Sequence, residues 1–542
     1  MSDAAALLRV RGFALKRSGD AKAEVEDLSF AIQARETLIL LGDAGAGASA
    51  VMRFLAQVPD PGATLGGTIQ IRDQPEQPLG KSRLDLRTAY LPGPHANILN
   101  PHESVVSQLA LVIARKTHQP KASAAAELDL ALQRLPGGPS LDALDQPPTR
   151  VAPEALAAGL LAAAMSQTPD LLLADDPLGQ LSPAHARAFA SALKAEQQRL
   201  GFAILYAALR ADVARLLGGN LIVLRSGRLI EEGPVSRLAT AQSHSYTQAL
   251  FRASLPGDGL ASVRAATRGE PLLRVQGVHL KLPGKVKDRE KITFELRRGA
   301  SLGLIGEIGS GRRSLTRALL GMEPLAAGRI VFDQVDIGVL SPAMMARLRR
   351  RVSFITGDDD ALDPRMTIFD TVSEPLRAHL AMPRDSIAHN RDAALKRVGL
   401  AALPGSRTVA SLAPFDRRRL QIARAIVSQP LLAVIDEPLH GLDAFAQSVV
   451  RDLLRNFRSN EGAAILFITS DFGLARAFCE DGLVFKDSRI VERGTMASLL
   501  RAPQDPHTRK LLEAVAALPV QSGTDIKPVA EDPVSSTQPP GG

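Results

Sequence analysis

The chain has 542 residues, 45% of them apolar and 23% charged, enough for two or more domains that each bury a core. A formal charge of +8 and a pI of about 9.7 suit phosphate ligands, an anionic membrane surface, nucleic acid, or simply a solvated basic face. One cysteine, Cys479, excludes an internal disulfide and a cysteine-rich metal site; no apolar run approaches the ~20 residues that span a bilayer, so membrane association is expected to be peripheral.

In chain order, Met1-Ser2-Asp3-Ala4 carries no basic-then-apolar leader pattern. Thr37–Gly42 is predicted to be a buried strand running into a glycine-rich loop, Gly42-Asp43-Ala44-Gly45-Ala46-Gly47-Ala48-Ser49, with a helix-like run after it. Ala155 to Met165 is apolar but short and Ala-rich. Leu171–Asp175 is predicted to be a second buried strand, ending in the carboxylates Asp175 and Asp176. Residues 255–270, rich in Gly and small polar side chains, read as a linker.

The pattern then repeats. Leu7-Leu8-Arg9-Val10 returns as Leu272-Leu273-Arg274-Val275, and Asp175 and Thr247 find counterparts in Asp436 and Thr508. Similar segments at a nearly constant offset mean a duplicated domain, not a short-period solenoid. Ser301–Gly306 leads into Gly306-Glu307-Ile308-Gly309-Ser310-Gly311-Arg312-Arg313, and Leu431–Asp436 ends in Asp436-Glu437. Apolar strands alternating with helices imply, in each half, a mainly parallel sheet covered on both faces. From about Val520 the chain is poor in apolar residues and reads as a disordered tail.

The two loops match the phosphate-binding pattern G-x-x-x-x-G-K-[ST] in their glycines only. Gly42, Gly45 and Gly47, and Gly306, Gly309 and Gly311, let backbone N–H groups face phosphate at a helix N-terminus. The lysine is replaced by Ala48 in one loop and by Arg312 in the other, whose planar fork is not equivalent to an ammonium. Ser49 keeps a hydroxyl for Mg²⁺. Arg313 cannot ligate a cation, and Ser314 lies one residue late. Asp175 and Asp436 are candidate Mg²⁺ partners, and the adjacent Asp176 and Glu437 candidate catalytic groups that orient a water. A Gly-rich turn and an acidic cap without ligand are the bland alternatives.

The order loop, acidic strand end, loop, acidic strand end resembles two ABC ATPase domains in one chain, and more closely the fused ATP-binding subunits of the oligopeptide, dipeptide and nickel importer family. Leu99-Asn100-Pro101 and Leu362-Asp363-Pro364-Arg365 resemble its LNP segment. Gly227 to Gly233 and Ser488 to Gly494 resemble its GRIVEEG strand pair, and Ser245 to Leu250 and Pro506 to Leu512 its HPYTRxLL element. The basic run Arg417 to Arg424 matches the helix after its signature.

The resemblance implies two P-loop NTPase domains with a helical subdomain each, at 1–254 and 271–517, a linker at 255–270 and a tail at 518–542. It implies ATP and Mg²⁺, the second domain holding them better than the first. It implies docking on two membrane permease subunits, and through them a substrate-binding protein, at the cytoplasmic face of a bacterial inner membrane; self-association is a further option and nucleic acid is not expected.

The departures bear on catalysis. The family's signature is replaced by Val151-Ala152-Pro153-Glu154 and Leu412-Ala413-Pro414-Phe415, its Q-loop glutamine by Gly93 and Thr356, its switch histidine by Leu209 and Ser470. Phosphoryl transfer rests on positioning and charge neutralisation, and one lost transition-state donor costs about 2.7–4 kcal/mol. Hydrolysis is therefore expected to be weak or lost. A non-hydrolysing scaffold or regulator is the alternative; a soluble ABC protein acting on ribosomes or DNA is a third, disfavoured by the short linker and the lone cysteine.

Overall fold

The computed structural model describes residues 6–17, 23–58, 62–81, 85–93, 98–179, 181–240, 243–253, 270–280, 291–307, 309–357, 361–380 and 382–516. The predicted linker, except Glu270, and the predicted tail lie outside them.

Each half is built on a six-stranded sheet. In the first half the order is Arg228–Pro234, Asn220–Arg225, Thr37–Gly42, Ala203–Ala208, Leu171–Asp175, Thr88–Pro92, parallel except for the outer pair formed with Arg228–Pro234. The second half repeats it with Val352–Thr356, Leu432–Asp436, Ala464–Thr469, Ser301–Gly306, Asp481–Lys486 and Arg489–Thr495. Central strands such as Ala203–Ala208 and Ala464–Thr469 are buried along their whole length, which is why they are continuous apolar runs. The predicted strand Thr37–Gly42 matches the observed one residue for residue; Leu431 lies just outside its strand, Leu432–Asp436.

A smaller four-stranded antiparallel sheet in each half takes two strands from before the phosphate loop and two from after its helix, and it packs against that helix. Its strands alternate, as in Val25–Ile32, with Val25, Leu28, Phe30 and Ile32 turned inward. Three helices pack together in each half and onto the edge of the sheet: Val105–Thr117, Lys121–Arg134 and Pro153–Met165, and their counterparts Ile368–Leu380, Arg384–Arg397 and Pro414–Ser428. The apolar run Ala155 to Met165 is thus a core helix of this group. The two domains with helical subdomains follow the order the sequence implied.

The halves face each other within the one chain. The helix Pro183–Leu200 of the first half packs against Pro506–Ala516 of the second, and Ala444–Glu461 of the second against Ser245–Ala253 of the first. Ala444 is buried within the first half's core. Arg187 Nη1 donates to the Glu513 carbonyl at 2.7 Å. Among the described residues no helix is long and apolar enough to cross a membrane.

Candidate functional site: the two phosphate loops

Both loops run from a central strand into an eight-residue helix, Ala48–Leu55 and Arg312–Leu319. Gly42 and Gly306 close the strands against the carbonyls of Leu224 and Phe485. Gly45 and Gly47 hold φ of 85° and 101°, and Gly309 and Gly311 φ of 87° and 96°. At Gly47 a Cβ would stand 2.6 Å from Val25 Cγ2, and at Gly311 2.5 Å from Ser488 Oγ, so at these turns glycine is demanded by both backbone and space. The glycine frame the sequence singled out therefore forms both loops.

The chemistry differs between the halves. In the first, Ser49 Oγ donates to Asp175 Oδ1 at 2.9 Å, and the Tyr90 hydroxyl donates to Asp175 Oδ2 at 3.0 Å. Burial next to Asp175 pushes the Tyr90 phenol well above its ordinary range. Ala48 leaves no cation at the lysine position. Asp176 sits at φ 48°, a conformation rare for side chains larger than glycine, and its carboxyl turns back onto Gly179 beside Tyr206. Burial pushes its pKa up to about 8, reinforced by Asp175 and Asp212 and opposed by Arg210. Its Oδ1 is buried without a hydrogen-bond partner among the described residues.

In the second half both arginines of the loop engage the acidic strand end. Arg313 Nε lies 3.3 Å from Asp436 Oδ2, the carboxylate almost fully buried and the guanidinium 56% exposed. Arg312 is only 5% exposed; its Nε donates to Ser310 Oγ at 3.1 Å and its Nη1 lies 3.6 Å from Glu437 Oε1. Glu437, at φ 44°, also accepts from the Ser470 N–H at 2.6 Å and from Thr469 Oγ1 at 3.1 Å. Ser314, the third residue of the loop helix, is half-buried.

These donor sets fit Mg²⁺ unequally. Ser49 and Asp175 offer two hard oxygens within one hydrogen-bond length, which suits the ion. Asp436 already carries a guanidinium, and Arg313 supplies no ligand atom, so the second site does not suit it. Among the described residues, no three His, Cys, Asp and Glu side chains gather to hold a metal by themselves.

Each loop is met from the opposite half. The Ala44 N–H donates to Asp443 Oδ2 at 2.8 Å, while Oδ1 of the same carboxylate caps its own helix through the Ala446 N–H at 2.7 Å. His185 Nε2 approaches Glu307 Oε1 at 3.8 Å, its Nδ1 resting 3.0 Å from Ser182 Oγ. The signature positions start the helices Pro153–Met165 and Pro414–Ser428, with Ala152 and Ala413 as caps that offer no side-chain bond and a proline first in each helix. Leu209 and Ser470 follow the strands Ala203–Ala208 and Ala464–Thr469. Sheet register pairs Pro92 with Asp175 but Thr356 with Asp436, so Gly93 and Thr356 stand one residue apart in the two loops.

Three groups at the site were not singled out in the sequence. Tyr90 faces Asp175 from the neighbouring strand, a placement that strand pairing alone would suggest. Asp43 lies in the loop itself, its carboxyl raised by burial and holding the Tyr246 hydroxyl at 2.6 Å from the C-terminal element, with Arg225 over the Tyr246 ring. Asp443 reaches across the halves, and no local pattern signals that.

A protein-family model described as ABC transporter matches residues 25–179 and 289–440. The chain is 29% identical to the glutathione import ATP-binding protein GsiA of Escherichia coli K12, covering 91% of this chain and 86% of that protein. It is 28% identical to the uncharacterized ABC transporter ATP-binding protein YejF of the same strain, covering 90% and 95%. A solved structure of cbiO1 from Clostridium perfringens, described as part of the ABC transporter complex cbiONQ, aligns with 43% of this chain and 96% of its own at 25% identity and TM-score 0.38.

Proposed function

The chain belongs to the ABC transporter family, as a tandem of two of its ATPase domains, and from that premise we propose that it is the ATP-binding subunit of a peptide-type importer in which hydrolysis is weak or lost. It docks on two membrane permease subunits at the cytoplasmic face of a bacterial inner membrane and couples nucleotide binding to uptake. The near full-length likeness to GsiA and YejF supports the lineage.

One observation carries the reading of the chemistry: the Glu437 carboxylate is held by the Ser470 N–H and Thr469 hydroxyl with Arg312 beside it. A glutamate fixed by its own half is poorly placed to orient an attacking water. Its counterpart Asp176 turns back onto Gly179, and burial raises its pKa to about 8, which makes it a poor proton acceptor near neutral pH.

We assign Mg²⁺ to the first half, reversing the preference the sequence suggested. There Ser49 and Asp175 would hold it, with Gly45 and Gly47 opening backbone donors to the phosphates. When bound, the ion supplies the positive charge that Ala48 does not. Tyr90 occupies the second oxygen of Asp175 with a hydrogen bond that a bound ion would compete with.

The test is phosphate release by the chain assembled with its permeases, beside ATP binding by calorimetry. The expected result is Mg²⁺-dependent binding lost in Asp175→Asn, with phosphate release near background. Turnover of several per second that disappears in Glu437→Gln would overturn the weak-hydrolysis reading. The second reading, a non-hydrolysing scaffold or regulator, is favoured by the same held Glu437; it predicts binding without any effect of nucleotide on uptake.

A further inference from the structure

The second phosphate loop carries two arginines where one ammonium and one metal-binding hydroxyl would serve a phosphate, and both are already turned onto carboxylates. We propose that this loop binds the triphosphate of ATP free of any divalent cation, Arg313 standing in for the metal and Arg312 for the lysine, as a holding site that does not turn over. The proposal rests on the reading of the chain as an ATP-binding subunit.

Three observations carry it. The loop backbone is built for an anion: Gly309 and Gly311 lie in the left-handed region, and Gly311 opens the helix Arg312–Leu319. Arg312 is 5% exposed, and its Nη1 is buried without a hydrogen-bond partner among the described residues; its nearest anion, Glu437 Oε1, stands 3.6 Å away. A buried guanidinium N–H left short of a bond is an incomplete contact, and a phosphate oxygen completes it with a charge-assisted bond. Finally, Asp436 is 3% exposed and paired with Arg313 at 3.3 Å, so a divalent ion brought to that carboxylate would meet a resident positive charge.

The two halves thereby invert each other's electrostatics. The first loop ends in Ala48 and Ser49 and faces Asp175, which makes no ion pair among the described residues, so a triphosphate there is best offset by a metal. The second balances Arg312 and Arg313 against Asp436 and Glu437 before any ligand arrives. An entering triphosphate competes with the two carboxylates for the two guanidiniums, and no metal is needed to offset repulsion.

The experiment is equilibrium binding of labelled ATP to the full chain in excess Mg²⁺ and in excess EDTA, with tripolyphosphate as competitor in each. The expected result is one class of site abolished by EDTA and by Asp175→Asn, and a second that survives EDTA and weakens at least tenfold in Arg312→Ala. Arg312→Lys, which keeps a charge, is expected to retain part of that second class and so separates lost charge from lost fold. Competition by tripolyphosphate shows that the loop reads phosphates; its absence, with EDTA-resistant binding intact, places recognition elsewhere and overturns the proposal. Binding that EDTA removes completely overturns the proposal and leaves the ATP-binding reading standing. No ATP binding in either condition overturns both.

Discussion

Replacing Arg313 by serine restores the residue type of the first half's Ser49 and removes the guanidinium paired with Asp436. At 3.3 Å a unit pair is worth about 5 kcal/mol at an effective dielectric of about 20. The guanidinium is 56% exposed, so solvent screening discounts this steeply: exposed pairs give about 0.2–1 kcal/mol, and stripping one partner from a fully buried pair costs about 3–5 kcal/mol. Arg313→Ser falls between these limits, at about 1–3 kcal/mol, or about 2–12 °C in Tm for a unit of roughly 150–250 residues. The variant also places a hydroxyl beside the Asp436 carboxylate, the donor pair that suits Mg²⁺. Bound at 100 times its Kd, the ion would return about 2.7 kcal/mol. Thermal melts of wild type and variant, each in Mg²⁺ and in EDTA, check this. The variant should melt lower in EDTA and recover with Mg²⁺ by more than the wild type gains. A variant that melts like the wild type in EDTA and ignores Mg²⁺ would refute the reading of Arg313 as resident cation.

Asp176→Asn removes a carboxyl whose pKa is raised by burial from an ordinary 3.8 to about 8. The folded chain keeps a proton there that the unfolded chain releases, so wild-type stability falls as pH rises between those values and levels off above them. The advantage of asparagine should grow from pH 6 to pH 8, by at most about 1.4 kcal/mol per pH unit; equal urea midpoint shifts at the two pH values would count against a buried, protonated Asp176. Tyr90→Phe frees one Asp175 oxygen, and Phe354 fills the matching strand position in the second half. One hydrogen bond is worth about 0.5–1.5 kcal/mol, so Mg²⁺-dependent ATP binding should tighten by roughly two- to tenfold, read by calorimetry; weaker binding would mean that the phenol helps hold the ion. Asp443→Ala removes a helix cap and the bond to the Ala44 N–H together. It should cost about 1–2 kcal/mol in urea unfolding and speed amide exchange at Ala44; unchanged exchange would mean that the halves part at that loop in solution.

The duplicated framework was legible because both halves keep the same order of apolar runs and punctuating glycines. Thr37–Gly42 and Leu171–Asp175 emerge as strands with the predicted bounds, since period and burial agree there. Gly45, Gly47, Gly309 and Gly311 were legible for the same reason, as their positive φ leaves few alternatives. The side-chain partnerships were not. Arg313 follows the loop, while the carboxylate it meets ends a strand more than 120 residues later, and nothing local announces that an arginine will turn there. Glu437 reads as a free base beside a strand end, but its oxygens are claimed by Thr469 and Ser470 from the next strand. The one-residue difference between Gly93 and Thr356 was hidden because the LNP segments align the loops beyond the strands and not the strands themselves.

Asp443 and Ser182 occupy matching places, each capping the helix after its acidic strand end, yet they meet the opposite loop differently: Asp443 through the Ala44 amide, Ser182 by steadying His185 toward Glu307. In a pair of identical subunits, one surface must complement its own copy, and any change appears twice. Here each surface meets only its opposite, so a substitution is tested once and can be answered on one side alone. A covalent connection also holds the halves at high effective concentration, which lets a contact as long as that of His185 with Glu307 persist without carrying the assembly. Such a chain can be repaired lopsidedly, and Arg312 and Arg313 facing Asp436 and Glu437, across from Ala48 and Ser49 facing Asp175, are a lopsidedness that no self-pairing copy could hold.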